Sequence, residues 1–393
     1  MIYYLKHKNK IVATFDLAEE VKSCSVNLQN SAYLPLSVKK MLMFKDAYIA
    51  EETAYNLIAN EEGCYLLERW LNDREIPINR DNRKKYLSNT SARMFMLENH
   101  ACSLTDCYWI CKQKDNSTWD DVKLFNLTKI EDQLFVEHSP SYSGTNATLG
   151  GQLEKYWYVD DNGDLNLCKK ERNTNVIVLR EVFASKIYKN LQSIPYCDYS
   201  LVKNHYQEVV GCSCKAFTSE QFELVTAYEL LEEMNYTQRD DVYEKIIERA
   251  VYYGLEENEV RRYLDTQTIV DFLITNRDRH QGNIGFIRNS DSLLFVSTAP
   301  VYDSGSSRFM EREHPETLTA TSVNGLYNTE MECLSHVKDF SCVNVARLPS
   351  SEEYRELLAQ STENAYRINS LCEMYEQKIN WLKEKQLQNM NLF

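Results

Sequence analysis

No stretch of this 393-residue chain is apolar for long enough to cross a bilayer, and its start, Met1-Ile-Tyr-Tyr-Leu-Lys6, lacks the basic segment, apolar run and small-residue cleavage site of a secretory signal. These absences read as a soluble, cytoplasmic protein that uses no membrane, with delivery to another cell left open. Positive charge is also short. Lys and Arg number 44 against 58 Asp and Glu, a net charge of −14, which argues against direct nucleic-acid binding by broad phosphate neutralisation. The 12 cysteines are neither dense nor regularly spaced. Their only clusters, Cys102-x4-Cys107-x3-Cys111 and Cys212-x-Cys214, offer no matched CxxC pair or nearby His doublet, so reduced, buried thiols are expected rather than a disulfide scaffold or structural zinc. Internal repeats, low-complexity tracts, a Walker loop and the eukaryotic G-x-G-x-x-G are missing too. The 43% of apolar residues that remain are ample for two or three compact units.

Along the chain, residues 5–15 read as a hairpin around Lys8-Asn9-Lys10, while 47–58 and 64–71 read as helices. Polar stretches at 112–119 and from Ser139-Pro140 mark loops. The runs Tyr156–Val159 and Leu165–Lys170 flank an Asn162-Gly163 turn and predict a second hairpin, followed by a helix over 178–191 and strands near 200–202 and 208–210. Beyond about residue 217 the pattern turns helical: 222–234, 241–252, 257–274 and 351–387, with Ile284–Ile287 returning as a strand. The expected fold class is α+β: a small strand-rich N-lobe (136–216) and a larger helical C-lobe (217–393), preceded by an α+β accessory region of unknown role (1–135).

The chemistry concentrates in Asn276-Arg-Asp278-Arg279-His280-Gln-Gly-Asn283 and, downstream, Pro300-Val-Tyr-Asp303-Ser-Gly305. Phosphoryl transfer needs a carboxylate to orient the attacking hydroxyl, hard oxygen ligands for magnesium, and cations and backbone N–H groups around the phosphates. Asp278 suits the first role; Asn283 and Asp303 suit the second. Ser141–Lys155 is rich in glycine and small hydroxyl residues, so its backbone could approach phosphate oxygens closely. Lys169 and Lys170 must point to opposite faces of their strand. Lys169 shares a face with Leu165 and Leu167 and is favoured as the phosphate-binding lysine, Lys170 being the alternative; Glu181 on the following helix is the natural ion-pair partner.

These residues resemble the motifs of the HipA-like Ser/Thr kinases, the short bacterial CtkA-like members in particular, over roughly residues 138–310. The resemblance implies a two-lobed kinase-like fold that transfers phosphate from ATP and magnesium, with Asp278 as the catalytic Asp and Asn283 and Asp303 as metal ligands. It also implies a phosphate-binding loop around Gly150 and Gly151, in which Thr148 occupies the place of the family's Ser, and a lobe connection at Cys212–Phe217, where backbone groups near Cys212 and Cys214 would meet adenine. His280 or Arg279 would help at the transferred phosphate, where eukaryotic kinases use a lysine. Residues 1–110 show no match to the barrel-like domain with which HipA-like toxins contact an antitoxin. The leading expectation is an autophosphorylating Ser/Thr protein kinase with a protein substrate and an antitoxin-like partner. A lipid kinase of the phosphatidylinositol type, suggested by Asn-x-Asp-Arg, a small-molecule kinase, and a nucleotide-binding pseudokinase are the alternatives.

Overall fold

The computed structural model describes residues 1–43, 48–49, 56–59, 61–80, 83–87, 90–125, 153–171, 174–234, 241–305 and 323–390. Its N-terminal part is a six-stranded antiparallel sheet made of β1 (Ile2–His7), β2 (Lys10–Leu17), β3 (Val21–Asn27), β4 (Tyr48–Ile49), β5 (Asn56–Ala59) and β6 (Tyr108–Lys112), in the order β4-β5-β3-β2-β1-β6. The hairpin forms as expected because Tyr3, Leu5 and His7 alternate inward, and Lys8 turns the chain with φ of 49°. Helix α1 (Glu61–Asp73) lays Cys64, Leu67, Trp70 and Leu71 into the same core. Where a helix is expected over 47–58, the described residues Tyr48–Ile49 and Asn56–Ala59 are strands instead, with Ile58 opposite Ser25. A short run rich in Tyr, Ile and Leu satisfies either period, and the open edge of β3 decides for the strand.

The second sheet is β7 (Glu154–Val159), β8 (Leu165–Lys170), β9 (Ser200–Lys203) and β10 (Val209–Lys215), ordered β7-β8-β10-β9. Helix α2 (Val176–Leu191) packs beneath it through Val178, Leu179, Phe183 and Ile187, all buried. A third sheet, β11 (Phe222–Thr226), β12 (Gly285–Asn289) and β13 (Phe295–Thr298), opens the helical part. There the helix expected over 222–234 is half strand. Phe222–Thr226 pairs with β12, and α3 (Ala227–Glu232) begins only after Thr226, whose capping box with Glu229 fixes the start. Then follow α4 (Val242–Tyr252), α5 (Glu257–Leu273), α6 (Glu330–Ser335), α7 (Ser351–Leu358) and α8 (Ala365–Met390). Tyr354 of α7 stacks on Phe183 at 4.0 Å and Tyr375 of α8 meets the same ring edge-on at 5.2 Å, so the C-terminal helices close over α2. Among the described residues no helix is long and apolar enough to cross a membrane. All 12 cysteines are free thiols.

A buried charge cluster fastens the N-terminal sheet to β11. Glu223 accepts from Arg288 Nη2 at 2.8 Å and Nε at 3.0 Å, from His7 Nε2 at 2.9 Å and from the Cys107 N–H at 2.8 Å. The donor atoms of His7, Cys107 and Glu223 lie within 4.8 Å of one another, but the guanidinium on Glu223 and burial of the Cys107 thiol, which pushes its pKa up, disfavour a cation there. Glu223→Ala should cost about 3–5 kcal/mol in urea unfolding, because it strands the Arg288 charge inside; a difference below ~1 kcal/mol would refute this. Burial pushes the Glu223 carboxyl up, but Arg288 and His7 outweigh it and hold the group well below its ordinary 4.5. Its stabilisation is therefore complete above that value and fades as pH falls below it. Acid should thus destabilise the wild-type chain more steeply than Glu223→Gln.

Candidate active site

The loop that carries Asp278 is built by buried cations. Helix α5 ends at Leu273 with Ile274 as its C-cap, and Thr275 takes a left-handed turn with φ of 56°. The Lys378 ammonium, fully buried, donates to Phe272 O at 2.8 Å, to Thr275 Oγ1 at 2.9 Å and to both Glu330 oxygens at 2.8 and 2.9 Å, so a cation caps the helix C-terminus. Arg279 is buried too. Its guanidinium binds Asp271 twice, at 2.7 and 3.0 Å, and reaches Asn283 O at 2.8 Å, Tyr302 O at 2.6 Å and Ser304 Oγ at 2.8 Å. Arg279 therefore ties the two motif loops together from behind, and the expectation that it faces a transferred phosphate is corrected: its donors are spent and it does not line the cleft.

The residues that do line one cleft of ≈ 1160 Å³ include Asp278, His280, Asn283 and Asp303 from the loops, Lys155 and Lys169 from the second sheet, and Trp70, Asp73, Arg74 and Asp106 from the N-terminal part. His280 Nδ1 accepts from the Gly282 N–H at 3.0 Å, which caps the short turn Gln281–Asn283. The Asn283 amide donates to Asp278 O at 2.7 Å, leaving its oxygen as the free acceptor. Asp278 receives the Asn324 amide on Oδ1 at 2.7 Å.

Across the cleft, Lys169 forms an ion pair with Glu181 and another with Asp303 at 2.8 Å. Glu181 Oε2 also accepts from the Ser304 N–H at 2.9 Å. Burial pushes the Asp303 carboxyl up, but Lys169 and Lys155 more than offset this and hold it well below the carboxylate range. Gly305 must be glycine here, since a Cβ would sit 2.3 Å from Ile177 O and 2.7 Å from Glu181 Cγ. Lys170 points away, over the Tyr156 ring at 5.1 Å, as strand alternation requires. Cys214, Lys215, Ala216 and Phe217 line the cleft, whereas the Cys212 side chain is fully buried in the core. Thr148, Gly150 and Gly151 lie outside the described residues.

Lys155 and Asn324 are among the lining residues that the motifs do not announce. Lys155 is the ladder partner of Lys169, so both ammonium groups share a face; a two-residue turn at Asn162-Gly163 would set Lys155 opposite Lys170 instead, and the longer loop closed by Asp160 and Asp164 shifts the register by one. Asn324 carries no motif and could be found only in three dimensions.

No protein-family model matches the chain. Over 115 residues, 28% of this chain, it is 30% identical to the serine/threonine-protein kinase CtkA of Helicobacter pylori, and it covers 34%, about a third, of that curated relative's length. A solved chain from the Shewanella oneidensis MR-1 toxin–antitoxin complex of HipA, HipB and operator DNA superposes with a TM-score of 0.53 at 11% identity, over 98% of this chain and 97% of that one. The crystal structure of the Helicobacter pylori proinflammatory kinase CtkA aligns with a TM-score of 0.47 at 16% identity, over 62% and 94%. The sequence match is thus to part of a Ser/Thr kinase, and the α+β fold is the one the HipA chain shares. The Shewanella alignment also takes in the N-terminal sheet, where the sequence had shown no match.

Burial, opposed by Asp303 and reinforced by Lys169, lowers Lys155 to about 8. Below that pH it is an ammonium that attracts phosphate oxygens; above it the charge is lost. Nucleotide affinity should therefore weaken as pH rises through 8, and Lys155→Met should remove that limb. A fluorescent-ATP titration at stepped pH checks this; an identical pH profile in the variant would sink it.

Proposed function

We propose that this chain transfers the γ-phosphoryl group of ATP, with magnesium, to a Ser or Thr hydroxyl of a protein, itself included. One observation carries the reading: Lys169, paired with Glu181 and Asp303, faces Asp278 and Asn283 across a single cleft. Asp278 is the carboxylate with room to accept the hydroxyl proton while the oxygen attacks phosphorus and the bridge to the β-phosphate breaks. Asp303 and the Asn283 oxygen form a hard, oxygen-only donor pair that fits magnesium, which when bound neutralises phosphate charge. Lys169 holds phosphate oxygens, kept in place by Glu181. Lys155 adds a second cation from the neighbouring strand, and the His280 Nε2 edge is left for the acceptor or the phosphate.

In this reading residues 136–216 form the N-lobe, 217–393 the C-lobe, and 1–135 an accessory unit that walls the cleft. Backbone around Cys214 would meet adenine. The hydroxyl-rich stretch 141–148 would be the site of self-phosphorylation, with Thr148 foremost, acting as a brake by setting a dianion beside the ATP phosphates. Because the Shewanella structure is of HipA with HipB, an antitoxin-like protein is the partner to look for, in a bacterial cytoplasm.

Labelled ATP with the protein alone tests the activity. Asp278→Asn should lower phosphate incorporation by roughly 10²–10⁴-fold and leave ATP affinity within about twofold. Asp303→Ala should instead abolish the magnesium-dependent part of nucleotide binding. Equal loss of affinity in both variants would show that the roles are wrongly divided.

A further inference from the structure

Asn324 makes two contacts with the loop that carries Asp278. Its side-chain amide donates to Asp278 Oδ1 at 2.7 Å, and its backbone N–H donates to Arg277 O at 2.7 Å. The segment behind it is rigidly founded. Val323 N–H bonds Asn328 O at 2.9 Å, and Thr329 and Glu332 close a capping box that starts α6. The first residue of α6 is Glu330, whose carboxylate holds Lys378, and Lys378 in turn holds Phe272 O and Thr275 Oγ1 at the base of the Asp278 loop. Thus Asn324 stands on a frame whose far end is the root of the very loop its side chain touches.

We propose that Asn324 is a positioning residue for phosphoryl transfer: its amide fixes the Asp278 carboxylate by Oδ1 and leaves Oδ2 to receive the acceptor proton. The inference rests on the kinase reading above for its consequence, though not for the contact. Asn suits the position better than the alternatives. A lysine or arginine there would neutralise the carboxylate that must attract a proton, and a hydroxyl residue could turn its O–H away, whereas an amide N–H can only donate and carries no charge. One oxygen bound and one left gives the carboxylate a defined direction without consuming it. The alternative, that Asn324 merely docks its segment, is met by the backbone bond to Arg277, which any residue can make.

That division of labour makes the test clean. Asn324→Ala keeps the backbone clasp and removes only the amide, so kcat should fall roughly ten- to a hundredfold with KM for ATP and thermal midpoint unchanged. Asn324→Asp, equal in shape but presenting an acceptor to an acceptor, should lose at least as much. Wild-type kcat in either variant, or loss of ATP affinity in step with kcat in both, would overturn the assignment. The contact is also read without turnover, from the side-chain amide proton resonances of Asn324 in labelled protein, which should shift in Asp278→Asn. Unmoved resonances overturn the inference; shifted resonances in a wild-type chain that transfers no phosphate support the contact and locate the failure in the kinase reading.

Discussion

A lysine ammonium shut away from water must find anions, and Lys169 finds two that come from different parts of the chain. Glu181 belongs to α2 and Asp303 to the loop after β13, so one buried charge fixes a strand, a helix and a loop relative to each other. The balance is closer than the pair alone suggests. Lys155 brings a second cation to the same face, so two ammonium groups stand against two carboxylates. In the proposed reading, phosphate would draw on the two lysines and magnesium on Asp303, each meeting a charge of opposite sign already in place. The close approach that Gly305 permits is the steric side of the same constraint, because any side chain there would push the loop off Glu181.

The net charge of −14 conceals how the molecule uses its cations. Arg279, Arg288 and Lys378 are all buried, and each binds a carboxylate together with other groups. Arg288 joins the N-terminal sheet to β11, Lys378 joins α8 to the end of α5, and Arg279 joins the Asp278 loop to the Asp303 loop. The junctions that an apolar core leaves imprecise are thus set by directional, charge-assisted bonds.

This also explains what the sequence disclosed. Asp278, Asn283 and Asp303 stood out because their spacing is local, and the structure brings them to one cleft. Lys169 could be separated from Lys170 because alternation along a strand is a rigid rule. Arg279 misled because flanking the Asp says nothing of direction; its true partner, Asp271, lies eight residues back on a helix, and only the turn at Thr275 brings the two together. Residues 48–49, 56–58 and 222–226 read as helix but form strands because short apolar runs fit both periods and strand partners distant in sequence decide between them. The N-terminal wall of the cleft was invisible for the same reason. Trp70 lies on α1 and Arg74 just past its end, far from the motifs, and they reach the cleft because Glu223, the Thr105 carbonyl and the Thr218 hydroxyl pin their unit to the rest.

Two residues at the site, Thr275 and Asp303, hold left-handed backbone with φ of 56° each, although neither is glycine. Such conformations cost about 1–3 kcal/mol apiece and persist only where surrounding bonds over-determine them. In both cases the bond is to a buried lysine: Lys378 on the Thr275 hydroxyl, Lys169 on the Asp303 carboxylate. The turns that aim Asp278 and Asp303 are therefore held by ammonium groups rather than preferred by the local sequence. For Asp303 that lysine also faces the cleft, so whatever binds Lys169 acts at the same time on the loop that carries the carboxylate. Occupancy of the cleft and the geometry of its loops are in this way one equilibrium.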